Sequence, residues 1–121
     1  MHVVEVDERD SSWEDADPRF RVYLFTGGDL PYTSWTVETC DITGAGLLDV
    51  LGWAEERAGE QNALYAIALV GTDHRVPQVQ RRGLTWLIGM DANHPAETEA
   101  ERRCYAEMLA RRDSPVLGCQ G

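Results

Sequence analysis

The stretch that decides the fold runs from Ala63 to Asp91: ALYAIALVG (63–71), TDHRVPQVQRR (72–82) and GLTWLIGMD (83–91). The first and third blocks are apolar, rich in β-branched and aromatic residues, and bounded by glycine, so they read as two long strands. The block between them is polar and carries Arg75, Arg81 and Arg82. It reads as a connecting loop, long for a hairpin.

The flanking segments look built to cover or extend that pair. Toward the N-terminus, Leu47, Leu48, Leu51, Ala54 and Ala58 recur at helical spacing, which predicts a helix over Gly44–Ala58 with Gly59 at its left-handed end. Asp49, Glu55 and Glu56 are expected away from its apolar centre. Before it, Phe20–Thr26 and Tyr32–Thr39 read as strands around the turn Gly27-Gly28-Asp29-Leu30-Pro31, and His2–Val6 as a further short strand. Along Phe20–Thr26, Phe20, Val22 and Leu24 share one face, and Arg21, Tyr23 and Phe25 the other. After the central pair, a helix is expected from about Pro95 to the stop at Ser114-Pro115, with Ala100, Cys104, Met108, Tyr105 and Leu109 inward. Glu99/Arg103 and Glu107/Arg111 are spaced as surface ion pairs. Residues 114–121 read as a loose tail, leaving a single domain over 1–113.

The expected order is therefore β-β-β-α-β-β-α. This predicts an α+β two-layer sandwich, a mostly antiparallel sheet of about five strands with two helices on one face.

Charge is unevenly placed. The formal net charge is −10. Residues 1–60 carry 14 acidic side chains against 4 arginines, whereas residues 61–121 carry 7 of each. Such a field disfavours direct binding to nucleic acid or an anionic membrane. The chain has no lysine, as expected of a GC-rich coding sequence. No apolar run approaches the roughly 18 residues that span a bilayer. The segment MHVVEVDERD is acidic and lacks a long apolar core, so a secretory signal is not expected and a cytoplasmic location is.

Assembled chemistry is not visible. Cys40, Cys104 and Cys119 form no CxxC and read as free thiols, with one disulfide as the alternative. Thr43-Gly44-Ala45-Gly46 precedes a helix, but Asp49 stands where a third glycine would complete a dinucleotide fingerprint, and its charge would repel a pyrophosphate. Thr72-Asp73-His74 and Asp91-Ala92-Asn93-His94 each hold a histidine beside a carboxylate. In a hairpin they fall at opposite ends, and each alone has too few ligands for zinc. No cofactor or metal site is expected.

Two segments remain as binding candidates. One is the acidic stretch 7–17, in which Asp10, Glu14 and Asp15 surround Trp13, an aromatic anchor in a charged rim suited to a basic protein partner. The other is the loop with His74, Arg75, Arg81 and Arg82, whose guanidinium groups match carboxylates or phosphates. Together they point to a non-enzymatic acidic binding protein, of inhibitor, immunity or accessory type, acting on a protein partner, with a homodimer as a further possibility. The alternative is a small enzyme or ligand-binding domain using Asp73, His74, Arg75, Arg81 and Arg82.

Several segments carry a resemblance. MHVVEV with Glu8-Arg9, FRVYL (20–24), DITGA (41–45), WAEERAG (53–59), YAIALV (65–70), GLTWLIGMD (83–91) and MLARR (108–112) resemble small uncharacterised proteins of actinobacteria. The resemblance spans most of the chain. It implies a compact α+β fold and a GC-rich bacterial source, and it implies no activity, cofactor or catalytic residue.

Overall fold

Alternation along one strand divides the protein into two cores. A computed structural model describes residues 1–7, 9, 17–28, 33–73 and 81–117, with backbone alone at 72, 73, 81 and 82. In β1 (Arg19–Thr26), successive side chains point to opposite faces, one of them apolar from Phe20 to Leu24 and the other aromatic at Tyr23 and Phe25. Phe20, Val22 and Leu24 pack with Tyr65 and Ile67 and with Val50, Leu51, Ala54 and Ala58. Phe25, with Tyr23 at its margin, packs instead with Leu64, Ala66, Trp35, Ala92 and Met108.

The elements follow as β2 (Thr36–Ile42), α1 (Leu47–Gln61), β3 (Leu64–Asp73), β4 (Arg81–Ile88) and α2 (Glu99–Asp113). The sheet has four strands in the order β2-β1-β3-β4, every neighbouring pair antiparallel. Since β2 and β3 both run opposite to β1, they are parallel to each other, and α1 bridges them as a crossover. The two central strands are buried on both faces, and the two edge strands are largely exposed.

The α+β class and the antiparallel sheet agree with expectation; three details differ. The sheet has four strands rather than five among the described residues, because His2–Val6 is in no ladder and lies exposed. The element order is therefore β-β-α-β-β-α. The helices lie on opposite faces rather than one: α1 covers the face of Val22 and Ile67, and α2 covers that of Phe25 and Ala66. Two central strands that are apolar on both sides need a cover on both sides.

The helix ends also shift. α1 starts at Leu47 and runs past Gly59 to Gln61, with Asn62 supplying the left-handed residue at φ 51°. Its buried stripe is Val50, Leu51, Ala54, Glu55 and Ala58, while Leu47 and Leu48 face solvent. α2 starts not near Pro95 but at Glu99, behind a Thr98 cap. The Thr98 hydroxyl accepts from the Glu101 N–H, and the Glu101 carboxylate accepts from the Thr98 N–H, both at 3.0 Å. This is the reciprocal box of a Thr-x-x-Glu start. Ala100 is exposed, and Met108 is the fully buried residue of this helix.

Candidate functional site

α2 covers only part of its face of the sheet, and what it leaves uncovered is aromatic. Tyr23 on β1 and Trp86 on β4 lie diagonally across β3, because Tyr23 pairs with Ala66 and Trp86 with Ala68. The small alanines let the rings meet across β3, with centroids 4.9 Å apart and planes tilted by 46°. Tyr23 also stacks over Phe25 at 6.2 Å, which ties the surface pair to the core below α2. Trp86 is 37% exposed and Leu84, two residues earlier on the same side, 40%. A one-residue bulge comes next: Ala68 faces Trp86 while Ile67 faces Ile88, so Leu87 is the extra residue. The bulge returns Ile88 to the α1 side of the sheet, where it joins that core.

A charged cluster borders the rings. Arg21 and Asp41 pair across β1 and β2 on the Tyr23 side. Arg21 Nε donates to Asp41 Oδ1 at 2.7 Å and its Nη2 to Oδ2 at 3.0 Å, while Arg19 Nε donates to Oδ2 at 2.7 Å. Hydrogen bonds from Arg21, and secondarily Arg19, hold the Asp41 carboxyl down at about 2, well below its ordinary 3.8. Two guanidinium groups thus converge on one carboxylate.

A second cluster lies at the far end of the sheet. Glu55, expected on the outer side of α1, is only 8% exposed. Its carboxylate accepts the Tyr65 hydroxyl at 3.2 Å and the Leu117 N–H at 3.1 Å. Burial, then the neighbouring Glu55 charge, pushes the Tyr65 phenol up to about 12, so it stays a donor at neutral pH. Arg111, expected to pair with Glu107, turns inward instead and lies 6.0 Å from the Tyr65 ring centre. Its Nε and Nη2 are buried without a hydrogen-bond partner. The cleft beside it, between Glu55, Tyr65, Arg111 and Pro115, offers about 20 Å³. That is room for roughly one water, the ordinary partner of such a buried donor, and not for a substrate.

The sequence candidates fall unevenly on this structure. Asp10, Trp13, Glu14, Asp15, His74 and Arg75 lie outside the described residues. The backbone places Asp73 opposite Arg81 and Thr72 opposite Arg82, so these four share one end of the β3–β4 hairpin. Asp91 and His94 come after the other end of β4, away from the Asp73 end of the hairpin. His94 Nε2 lies 2.8 Å from Glu101 Oε2, and Asp91 accepts the Asn93 N–H. Asn93 in turn clamps the backbone of Trp35, accepting from its N–H at 2.8 Å and donating to its carbonyl at 2.9 Å. The 91–94 cluster thus works as a structural joint at the entry to α2. At the start of α1, the Gly46 N–H is taken by Asp49 and the Gly44 N–H by Asp17. Among the described residues, no group of three or more His, Cys, Asp or Glu side chains could hold a metal ion. No described helix is long and apolar enough to cross a membrane.

Comparison with protein-family models, with curated proteins and with solved structures finds no match. The site therefore rests on its own geometry. Tyr23, Arg21 and Trp86 were not singled out from the sequence, although the signal was present. Arg21, Tyr23 and Phe25 lie on one side of a strand whose other side is fully apolar.

Proposed function

We propose that this chain is a non-enzymatic binding protein that docks a basic protein partner on the open half of its sheet. The observation that carries the reading is the exposed Trp86 ring, 4.9 Å from the half-buried Tyr23 ring and beside Arg21 and Leu84. Tyrosine, tryptophan and arginine are the side chains that dominate binding energy at protein interfaces. Here they stand on a rigid sheet anchored through Phe25, so little conformational entropy is lost on contact. The net charge of −10 favours a basic partner and would speed encounter through long-range attraction. An inhibitor, immunity or accessory role suits such a surface, because each acts by covering another protein.

The test compares the native chain with Tyr23→Ser/Trp86→Ser in capture from bacterial lysate, followed by binding measurements on the purified partner. Aromatic anchors worth about 2 kcal/mol or more each correspond to a dissociation constant weakened about 30-fold by losing one and several hundred-fold by losing both. Neutralising the acids of segment 7–17 should slow association and flatten its salt dependence. A partner that binds the double variant as tightly as the native chain would sink the reading.

A further inference from the structure

Two arginines of this fold present the same edge of the guanidinium to very different surroundings. Arg21 grips Asp41 with that edge, Nε on Oδ1 at 2.7 Å and Nη2 on Oδ2 at 3.0 Å. In Arg111 the same two atoms, Nε and Nη2, are buried and reach no acceptor. This edge is a fork that holds two acceptors side by side, or one centred between them. A buried charged donor left without an acceptor costs more than a neutral one, so the fork calls for a partner.

The cleft beside Arg111 narrows what that partner is. Glu55 lines the same cleft and is only 8% exposed. Its Oε1 accepts the Tyr65 hydroxyl, and both its oxygens accept the Leu117 N–H. A carboxylate has roughly four lone-pair sites, so Oε2 keeps capacity for another donor. A space of about 20 Å³ holds one water, which needs about 10–15 Å³, and is too small for a carboxylate or phosphate ligand. A halide suits the fork but not its neighbour, because Glu55 repels it and receives no proton from it. Water serves both sides: it accepts from Nε and Nη2 and donates to the carboxylate.

We propose that the cleft binds one long-lived internal water, which accepts from the Arg111 fork and donates to the Glu55 carboxylate. The two side chains then form a buried ion pair through that water, with donor and acceptor roughly 5.5–6 Å apart, two hydrogen bonds in series. Glu55 and Arg111 act on the Tyr65 phenol in opposite directions, as expected of two charges that share its surroundings. The bridge ties α1 to α2 and, through Tyr65 and Leu117, to β3 and the residues after α2. It also gives Arg111 a reason to turn inward from its surface position beside Glu107.

Magnetic relaxation dispersion of the water nuclei counts long-lived internal waters, and rotating-frame NMR on the same sample shows which protons they touch. The native chain should hold at least one such water. Its cross-peak to the Arg111 Nε–H should carry the sign that marks proximity and not proton exchange. Arg111→Met keeps the stem, removes the fork and should lower the count by one. Tyr65→Phe leaves both ends of the bridge in place and should not lower it. A native chain without a long-lived water, or a count that Arg111→Met leaves unchanged, overturns the bridge. Halide NMR line broadening that is present in the native chain and lost in Arg111→Met overturns it in favour of a bound halide. If Arg111→Met does not fold, the native cross-peak decides alone, and an Nε–H that shows only exchange with bulk water overturns the bridge. The cleft shares no residue with the Tyr23–Trp86 face, so neither proposal stands or falls with the other.

Discussion

Asp41 is the residue whose ionisation matters most to the sheet, since it joins β2 to β1 through two arginines. Its folded pKa is depressed, so its contribution is present above the ordinary value of 3.8 and is lost as pH falls toward about 2. At 1.36 kcal/mol per unit this shift would be worth over 2 kcal/mol. Partial solvent contact of all three side chains reduces that to about 1–2 kcal/mol. Asp41→Asn should therefore lose about 1–2 kcal/mol of stability to urea at pH 6, and its gap from the native chain should close progressively below pH 4. A gap that stays constant between pH 6 and pH 3 would mean that the contact acts by shape and not by charge. Gly28 shows the opposite kind of constraint, in which the side chain must be absent. A Cβ there would stand 2.2 Å from the Trp35 ring, which is itself fixed by Asn93 and by Tyr105 at 3.1 Å. A glycine pair at 27–28 looks like turn chemistry in the sequence; the packing reason for its second member becomes visible only with the indole in place.

Among the elements, α2 is tied to α1 through the residues beyond its C-terminus, as well as to the sheet through its own apolar face. Past its Ser114 end, Leu117 donates its N–H to the Glu55 carboxylate on α1, and its side chain reaches Gly52. Glu55→Ala should speed exchange of the Leu117 amide at least tenfold and cost about 1–3 kcal/mol, because the Tyr65 hydroxyl also loses its acceptor. Tyr65→Phe, which keeps the Leu117 contact, should leave that amide protected; if both variants release it equally, Glu55 is not the anchor. This joint could not be read from sequence. Glu55 and Arg111 sit where a helix plots them as surface charges, and only the tertiary arrangement turns them inward. The strands were more legible. FRVYLF alternates as expected, and its faces are the two cores that the structure displays. The same run, together with the unbroken apolar ALYAIALV, also held the evidence against placing both helices on one face, since a strand apolar on both sides is buried on both. His2–Val6 shows the limit of propensity: valines favour an extended chain, but a strand exists only where a neighbour supplies the ladder.

At the scale of the whole molecule, the charge of −10 acts on stability and on recognition in opposite directions. A 121-residue domain has a radius of gyration near 14 Å, so in 10 mM salt, with a Debye length of about 30 Å, nearly every acidic group feels the others. In 150 mM salt that length falls to about 8 Å, and the mutual repulsion of the excess acidic groups is largely removed. The Asp41 contacts, at 2.7–3.0 Å, are far shorter than either length and change little. Relief of repulsion should therefore win, and the melting temperature at pH 7 should rise by a few degrees between 10 and 150 mM sodium chloride. Association with a basic partner should slow over the same range, because the attraction that steers encounter is screened with it. Dissociation, governed by the aromatic contact at Tyr23 and Trp86, should stay nearly constant. A melting temperature that falls with salt would show that local ion pairs outweigh the net field. An association rate indifferent to salt would remove charge from the account of how the partner is found, and leave the sheet face to act alone.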